Sequence, residues 1–323
     1  MENAQVVKAR IYWIDWFKTL GMLFVVFGHM FPPKDHYIYA FNVPLFFILS
    51  GFLAKREENA KLFWKKLFYN MIVPLFVLAL LSWLYNQFVY EIYGEFSPKK
   101  LSRFVFGVLL GKYKYLRECW FIYTLVIIKI IYQYLPQKWE KIANISLVLV
   151  FTLVAVVLSV FNKFSGSAFL NIVVSYQFFA LGLFLSKYKS AINGFRNIKV
   201  EVAVLLVSLA VLYLSGRYNG AVWMFINDYG KNIVLFFTGG ISGTVAVYVV
   251  ARWLAGWRNV VVDSISTGSI VLLGLHFPVA KYLSSVTSYN FLAAVAIVLA
   301  FVPVIMFCER YIPWMIGLYR VRK

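Results

Sequence analysis

Residues Ile11–Met30 read IYWIDWFKTLGMLFVVFGHM. A helix that crosses a bilayer needs about 20 mostly apolar residues, and this run is long enough. Yet it holds Asp15, Lys18 and His29. Ionisable groups inside a span are costly and face a protein interior or an aqueous cavity. Lys18 and His29 lie about three helical turns apart, and Asp15 and His29 about four. All three therefore project from one face of one helix, which reads as the wall of a site. Asp15 sits about 20 Å of rise from His29 and does not reach it. An Asp15–Lys18 ion pair at i, i+3 is expected instead.

Working outward, the 323 residues are 62% hydrophobic and 14% charged. Soluble domains run nearer half apolar and a quarter charged, so the chain reads as a polytopic membrane protein. Aromatic residues make up 20%, which suits interfacial belts and packing between helices. The expected fold is an all-α bundle of about ten transmembrane helices forming one domain over 1–323. The spans fall near 11–31, 38–54, 67–93, 116–135, 143–161, 167–186, 199–215, 232–253, 265–286 and 290–310. The second is short, carries Pro44 and Gly51, and is expected to be bent or partly re-entrant. The segment 100–112 is too short to cross and reads as an interfacial helix or a lid. The basic start MENAQVVKAR leads into a span without a small-residue cleavage site and is read as preceding an uncleaved first helix.

Ten spans put both termini on one side. Of the 32 Lys and Arg residues, 19 fall on that side and 11 on the other, with Lys18 and Lys129 inside spans. The excess marks the terminal side as cytoplasmic, in a bacterial-type plasma membrane. The net charge of +19 follows from topology and anionic lipid headgroups. The basic residues are scattered over short loops with no nucleic-acid-binding module between them.

Histidine exchanges a proton near neutral pH and serves as a general base, and Gly28 beside His29 allows close approach of a ligand or a helix. The plain alternative is a histidine hydrogen-bonded between helices. In FNVPLFFILSGFL (41–53), Asn42 and Ser50 are polar groups on a helix expected to line the same cavity; small-residue helix packing is the alternative. The stretch from Lys55 to Lys66 includes Lys55, Arg56, Lys65 and Lys66, which suit a phosphate-rich ligand or a simple positive-inside loop. In RECWF (117–121), Arg117, Glu118 and Trp120 suit sugar contacts or an interfacial anchor. His276 lies inside the ninth span in TGSIVLLGLHFPV (267–279). Cys119 and Cys308 are the only cysteines and have no metal-ligand spacing. No HExxH, Walker, GxGxxG or GxSxG pattern occurs, so zinc hydrolysis, ATP hydrolysis and serine hydrolase chemistry have no support, and no metal is expected.

Taken in order, these segments resemble the acyltransferase 3 family of integral membrane O-acyltransferases. Asp15–x2–Lys18–x10–His29 is similar to the family's opening motif of acidic residue, basic residue and Gly-His pair. FNVPLFFILSGFL is similar to its proline–leucine–phenylalanine–phenylalanine and serine–glycine segment. The basic run before Pro74, CWF (119–121), FFALGLFLSK (178–187) and GLHFPV (274–279) follow in the family's order. Lys18 stands where many members carry arginine, and Asn70 where a second arginine is common. The resemblance implies transfer of an acetyl group from acetyl-CoA to a hydroxyl of a cell-surface polysaccharide or lipid-linked sugar. It implies His29 as the essential catalytic residue. Asp15 and Lys18 would assist it, and the basic run would contact CoA. Asn42, Ser50 and Lys18 are candidate oxyanion donors, and a transient acyl-histidine is an alternative course. Ten spans with bent helices and intramembrane charges also suit a saccharide transporter without acyl transfer.

Overall fold

The computed structural model describes residues 10–32, 34–89, 98–160, 167–194, 196–288 and 290–318. Parts of the reading above lie outside them: the start at 1–9 with Lys8, the end of the third span at 90–93, residue 161 of the fifth, and Lys163, Arg320, Arg322 and Lys323. Among the described residues the chain is all-helical, with two isolated backbone bridges, Lys112–Ser167 and Trp223–Asp228.

The main helices are α1 Tyr12–Gly28, α2 Pro44–Phe52, α3 Ala60–Val89, α4 Pro98–Leu109, α5 Trp120–Tyr134, α6 Glu140–Val160, α7 Asn171–Ser186, α8 Ile198–Asn219, α9 Ile233–Leu254, α10 Val260–Val286 and α11 Asn290–Tyr311. Six of these, α3, α6, α8, α9, α10 and α11, are long and apolar enough to cross a membrane. The other four segments expected to span are helical but shorter. The second breaks into a turn of helix at His36–Tyr39 and then α2.

Local chemistry sets the boundaries. Asparagine caps start four helices: the side-chain oxygens of Asn59, Asn197, Asn232 and Asn259 accept first-turn backbone N–H groups, satisfying donors that have no partner inside the helix. Pro44 occupies the first turn of α2, where its missing N–H costs nothing. The break therefore precedes the proline, and α2 is not bent at it. Gly51 does not loosen α2 either. A Cβ on Gly51 would stand 2.0 Å from the Phe179 carbonyl oxygen, and one on Gly182 would stand 2.0 Å from that of Ile48. The two glycines let the backbones of α2 and α7 touch. In α3 the helix widens into a π-turn over Phe68–Ile72, just before Pro74, which cannot donate to the ladder.

The first helix is the hub. α1 packs against α9, α10 and α11, while α8 pairs with α9 and α7 with α2. On the periphery, Leu149, Val150 and Leu153 of α6 are 65%, 53% and 66% exposed, and Leu206 and Val207 of α8 match them. In water such a surface would be an aggregation hazard; against lipid it is ordinary. The fold thus buries the helix that carries the ionisable series and turns apolar faces of α6 and α8 outward.

Candidate active site

Asp15, Lys18 and His29 all meet α10, as their shared helical face requires. Asp15 accepts a hydrogen bond from Ser266 Oγ at 2.5 Å, Lys18 Nζ approaches the Ser266 carbonyl oxygen at 3.5 Å, and the His29 ring lies 5.1 Å from that of His276. The expected Asp15–Lys18 ion pair does not form. Asp15 instead pairs with Arg10 at 2.7 Å, and Arg10 also reaches Asp263 at 3.0 Å. The hydrogen bond that Arg10 donates to Asp15 raises its guanidinium above the ordinary pKa. With both carboxylate oxygens engaged, Asp15 ties the start of α1 to α10 and leaves the Lys18 ammonium to a cavity.

That cavity is an inner chamber of about 280 Å³. Its walls include Met22 and Val25 of α1, Phe46 and Ser50 of α2, Leu125 and Lys129 of α5, and Ser269 and Leu273 of α10. The lining is apolar except for Lys18, Lys129, Ser50 and Ser269. Toward one end, Lys129 and Met71 also border a mouth cavity lined by Lys55, Glu57, Lys66, Asn70 and Gln133. Toward the other end, Val25, Val43, Phe121 and Leu273 also border an outer chamber that holds His29. Shared wall residues thus place the three cavities next to one another, from a basic mouth to an imidazole.

His29 follows the last residue of α1, its backbone N–H still bonded to Val25. Tyr39 OH donates to the Gly28 carbonyl at 2.9 Å, fastening the chain beside it. Phe277 meets the imidazole edge-on at 5.3 Å. His276 lies behind and is fully buried. Its Nδ1 stands 2.8 and 3.0 Å from the carbonyl oxygens of Leu272 and Leu273. Carbonyls only accept, so Nδ1 carries the proton and Nε2 presents a lone pair. That Nε2 is buried without a hydrogen-bond partner among the described residues. Of the two rings, His29 is the one that borders the cavity.

The outer chamber is also lined by Asn42, Glu118 and Trp120, together with Tyr39, Tyr113, Trp223, Met224 and Phe225. Asn42 is 2% exposed, its Oδ1 without a partner, and its amide nitrogen lies 3.4 Å from where a Gly28 Cβ would stand. Glu118 is buried, held by Ser82 at 3.4 Å and Arg117 at 3.9 Å. Arg117 stands behind the lining, 3.5 Å from Asn86 Oδ1 and over the Phe277 ring. A carboxyl group, an amide and several aromatic rings thus give this cleft of about 50 Å³ a mixed apolar and polar lining.

The other sequence candidates scatter. Ser50 lines the inner chamber, away from His29. Lys55 and Lys66 line the mouth, where Lys66 pairs with Glu57 at 2.6 Å. Lys65 is exposed beside Lys66 on the same helix. Arg56 is engaged within the protein instead: it donates to the Leu135 carbonyl at 2.6 Å, lies 3.8 Å from Glu140 and covers the Tyr132 ring. Lys129, Tyr39, Tyr113 and Trp223 were not among the candidates. An intramembrane lysine was a legible signal for the first, whereas the aromatic residues come from short connecting segments with no distinguishing pattern. Among the described residues no group of three or more His, Cys, Asp or Glu gathers.

A sequence model of the acyltransferase domain family matches residues 11–310, nearly the whole chain. No curated protein and no solved structure matches.

Proposed function

The chain belongs to the acyltransferase 3 family, and on that premise we propose that it moves an acetyl group from acetyl-CoA to a hydroxyl of a cell-envelope saccharide, with His29 as general base. The observation that carries this reading is the three-cavity path from Lys55 and Lys66 through the apolar chamber to His29. It matches a donor with a polyanionic head, a long thin arm and a reactive end. The head docks at the basic mouth, on the cytoplasmic side by the charge excess. The arm threads the inner chamber. Lys18 and His29 are separated by about 16 Å of helical rise, within reach of an extended pantetheine arm.

The saccharide enters the outer chamber, against Trp120, Trp223 and Glu118. His29 removes the proton from its hydroxyl, and the oxygen attacks the thioester carbonyl carbon. The carbonyl oxygen gains negative charge. Asn42, beside Gly28, is the best placed of the candidate donors to stabilise it; Ser50 and Lys18 lie in the inner chamber. The tetrahedral centre collapses, the carbon–sulfur bond breaks, and the sulfur leaves with the proton from the His29 imidazolium. The ester and free CoA result. The Nε2 lone pair of His276, without a partner among the described residues, can accept a hydrogen bond from protonated His29 and so hold the base in register.

The test is incubation of the purified protein with labelled acetyl-CoA and envelope glycans. Label on the glycan supports the enzyme. Glycan flux through proteoliposomes without consumption of acetyl-CoA would favour a transporter, which intramembrane lysines also suit.

A further inference from the structure

Lys129 occupies the neck of the path. With Met71 it borders both the mouth and the inner chamber. It lies on α5, half-buried, and makes no hydrogen bond or ion pair among the described residues. The carboxylate in the mouth, Glu57, is held by Lys66. The inner chamber has no acid in its lining, and Asp15, one turn from Lys18, is taken by Arg10 and Ser266. Among the described residues Lys18 approaches the Ser266 carbonyl, at 3.5 Å, and makes no ion pair.

Two ammonium groups therefore face one apolar chamber without a counter-charge. A half-buried ion without a partner is disfavoured, and two of one sign add mutual repulsion. An anion with several oxygens at the neck offsets both penalties. We infer that Lys129, with Lys18 behind it, clamps the diphosphate of the acyl-CoA donor and so sets how far the arm enters. This rests on the donor reading above. Anchored at the neck, the diphosphate leaves the pantetheine arm to cross the inner chamber and bring the thioester to His29. Lys129 thus acts as a depth stop, selecting donors that carry a diphosphate at the right distance from the thioester.

The experiment uses the full-length protein in nanodiscs. CoA affinity is read by calorimetry, and KM is read for acetyl-CoA and for acetyl-pantetheine, which lacks the diphosphate. Lys129→Met keeps length and loses charge. It should weaken CoA binding about tenfold to a hundredfold, the range for losing a hydrogen bond to a charged group. The preference for acetyl-CoA over acetyl-pantetheine should shrink by the same factor, with the acceptor KM retained. Lys129→Arg should restore affinity to within a few-fold. Inorganic pyrophosphate should compete with CoA on the wild type, which probes the site even where a variant fails to fold. If the wild type binds CoA while pyrophosphate does not compete, or Lys129→Met binds CoA as tightly as the wild type, the clamp is refuted and the donor reading stands. If the wild type binds no CoA, the donor reading itself fails.

Discussion

Replacing Val43 by phenylalanine should close the path between the inner and outer chambers while sparing the fold. Val43 precedes α2 and borders both chambers. Its side chain is half-buried, so the added ring has open space in the path rather than close-packed neighbours. A phenylalanine laid into an apolar passage gains about 1.5–3 kcal/mol from burial. A donor arm must displace that ring before its thioester reaches His29. At 1.4 kcal/mol per factor of ten, productive donor binding weakens by about one to two orders of magnitude. The assay is transfer of labelled acetyl at limiting acetyl-CoA, with thermal unfolding to confirm the fold. Val43→Ala, which widens the passage, should keep the donor KM within a few-fold. Wild-type kcat/KM for acetyl-CoA in a folded Val43→Phe protein would refute the idea that the donor travels this way.

Other substitutions separate chemistry from scaffolding. His276→Ala should lower kcat by about 10²-fold or more, the usual contribution of a group that orients or accepts a proton, whereas His276→Gln, which keeps an acceptor, should recover part of it; equal kcat in both variants and wild type would remove His276 from the reaction. Arg56→Ala should destabilise the protein by about 1–3 kcal/mol, because the Leu135 carbonyl and the Glu140 carboxylate lose a charged donor, yet leave the donor KM within twofold; a large rise in donor KM with unchanged stability would place Arg56 at the mouth after all. Gly182→Ala forces a methyl against the Ile48 carbonyl oxygen and should cost about 1–3 kcal/mol, read as a lowered thermal midpoint; an unchanged midpoint would deny the close α2–α7 contact.

The ionisable series on α1 was readable because a helix has a fixed period: residues spaced at whole turns share a face, whatever that face meets. Their partners were not readable. Asp15 and Lys18 are well spaced for each other, but Arg10 and Ser266 supply Asp15 with better geometry, and only the packing of α1 on α10 reveals it. Arg56 shows the same limit in reverse. A loop arginine in a basic run looks solvated, yet it is drawn inward to the Leu135 carbonyl and the Tyr132 ring. Lys129 had no spacing partner on its own helix, so its meaning rests on the chamber it shares with Lys18. The aromatic wall drawn from Tyr39, Tyr113 and Trp223 comes from three short connecting segments distant in sequence and leaves no periodic trace. Pro44 and Gly51 were legible as special positions but not as to kind, since a helix start and a close backbone contact use the same residues as a bend.

The most direct measurement loads proteoliposomes of uniform orientation with labelled acetyl-CoA on the face bearing Lys55 and Lys66 and supplies the saccharide only on the opposite face. The label should cross to the saccharide, and it should stop crossing in a folded His29→Ala protein. Transfer that needs donor and acceptor on the same face, or that persists at the wild-type rate without the imidazole, would contradict the account.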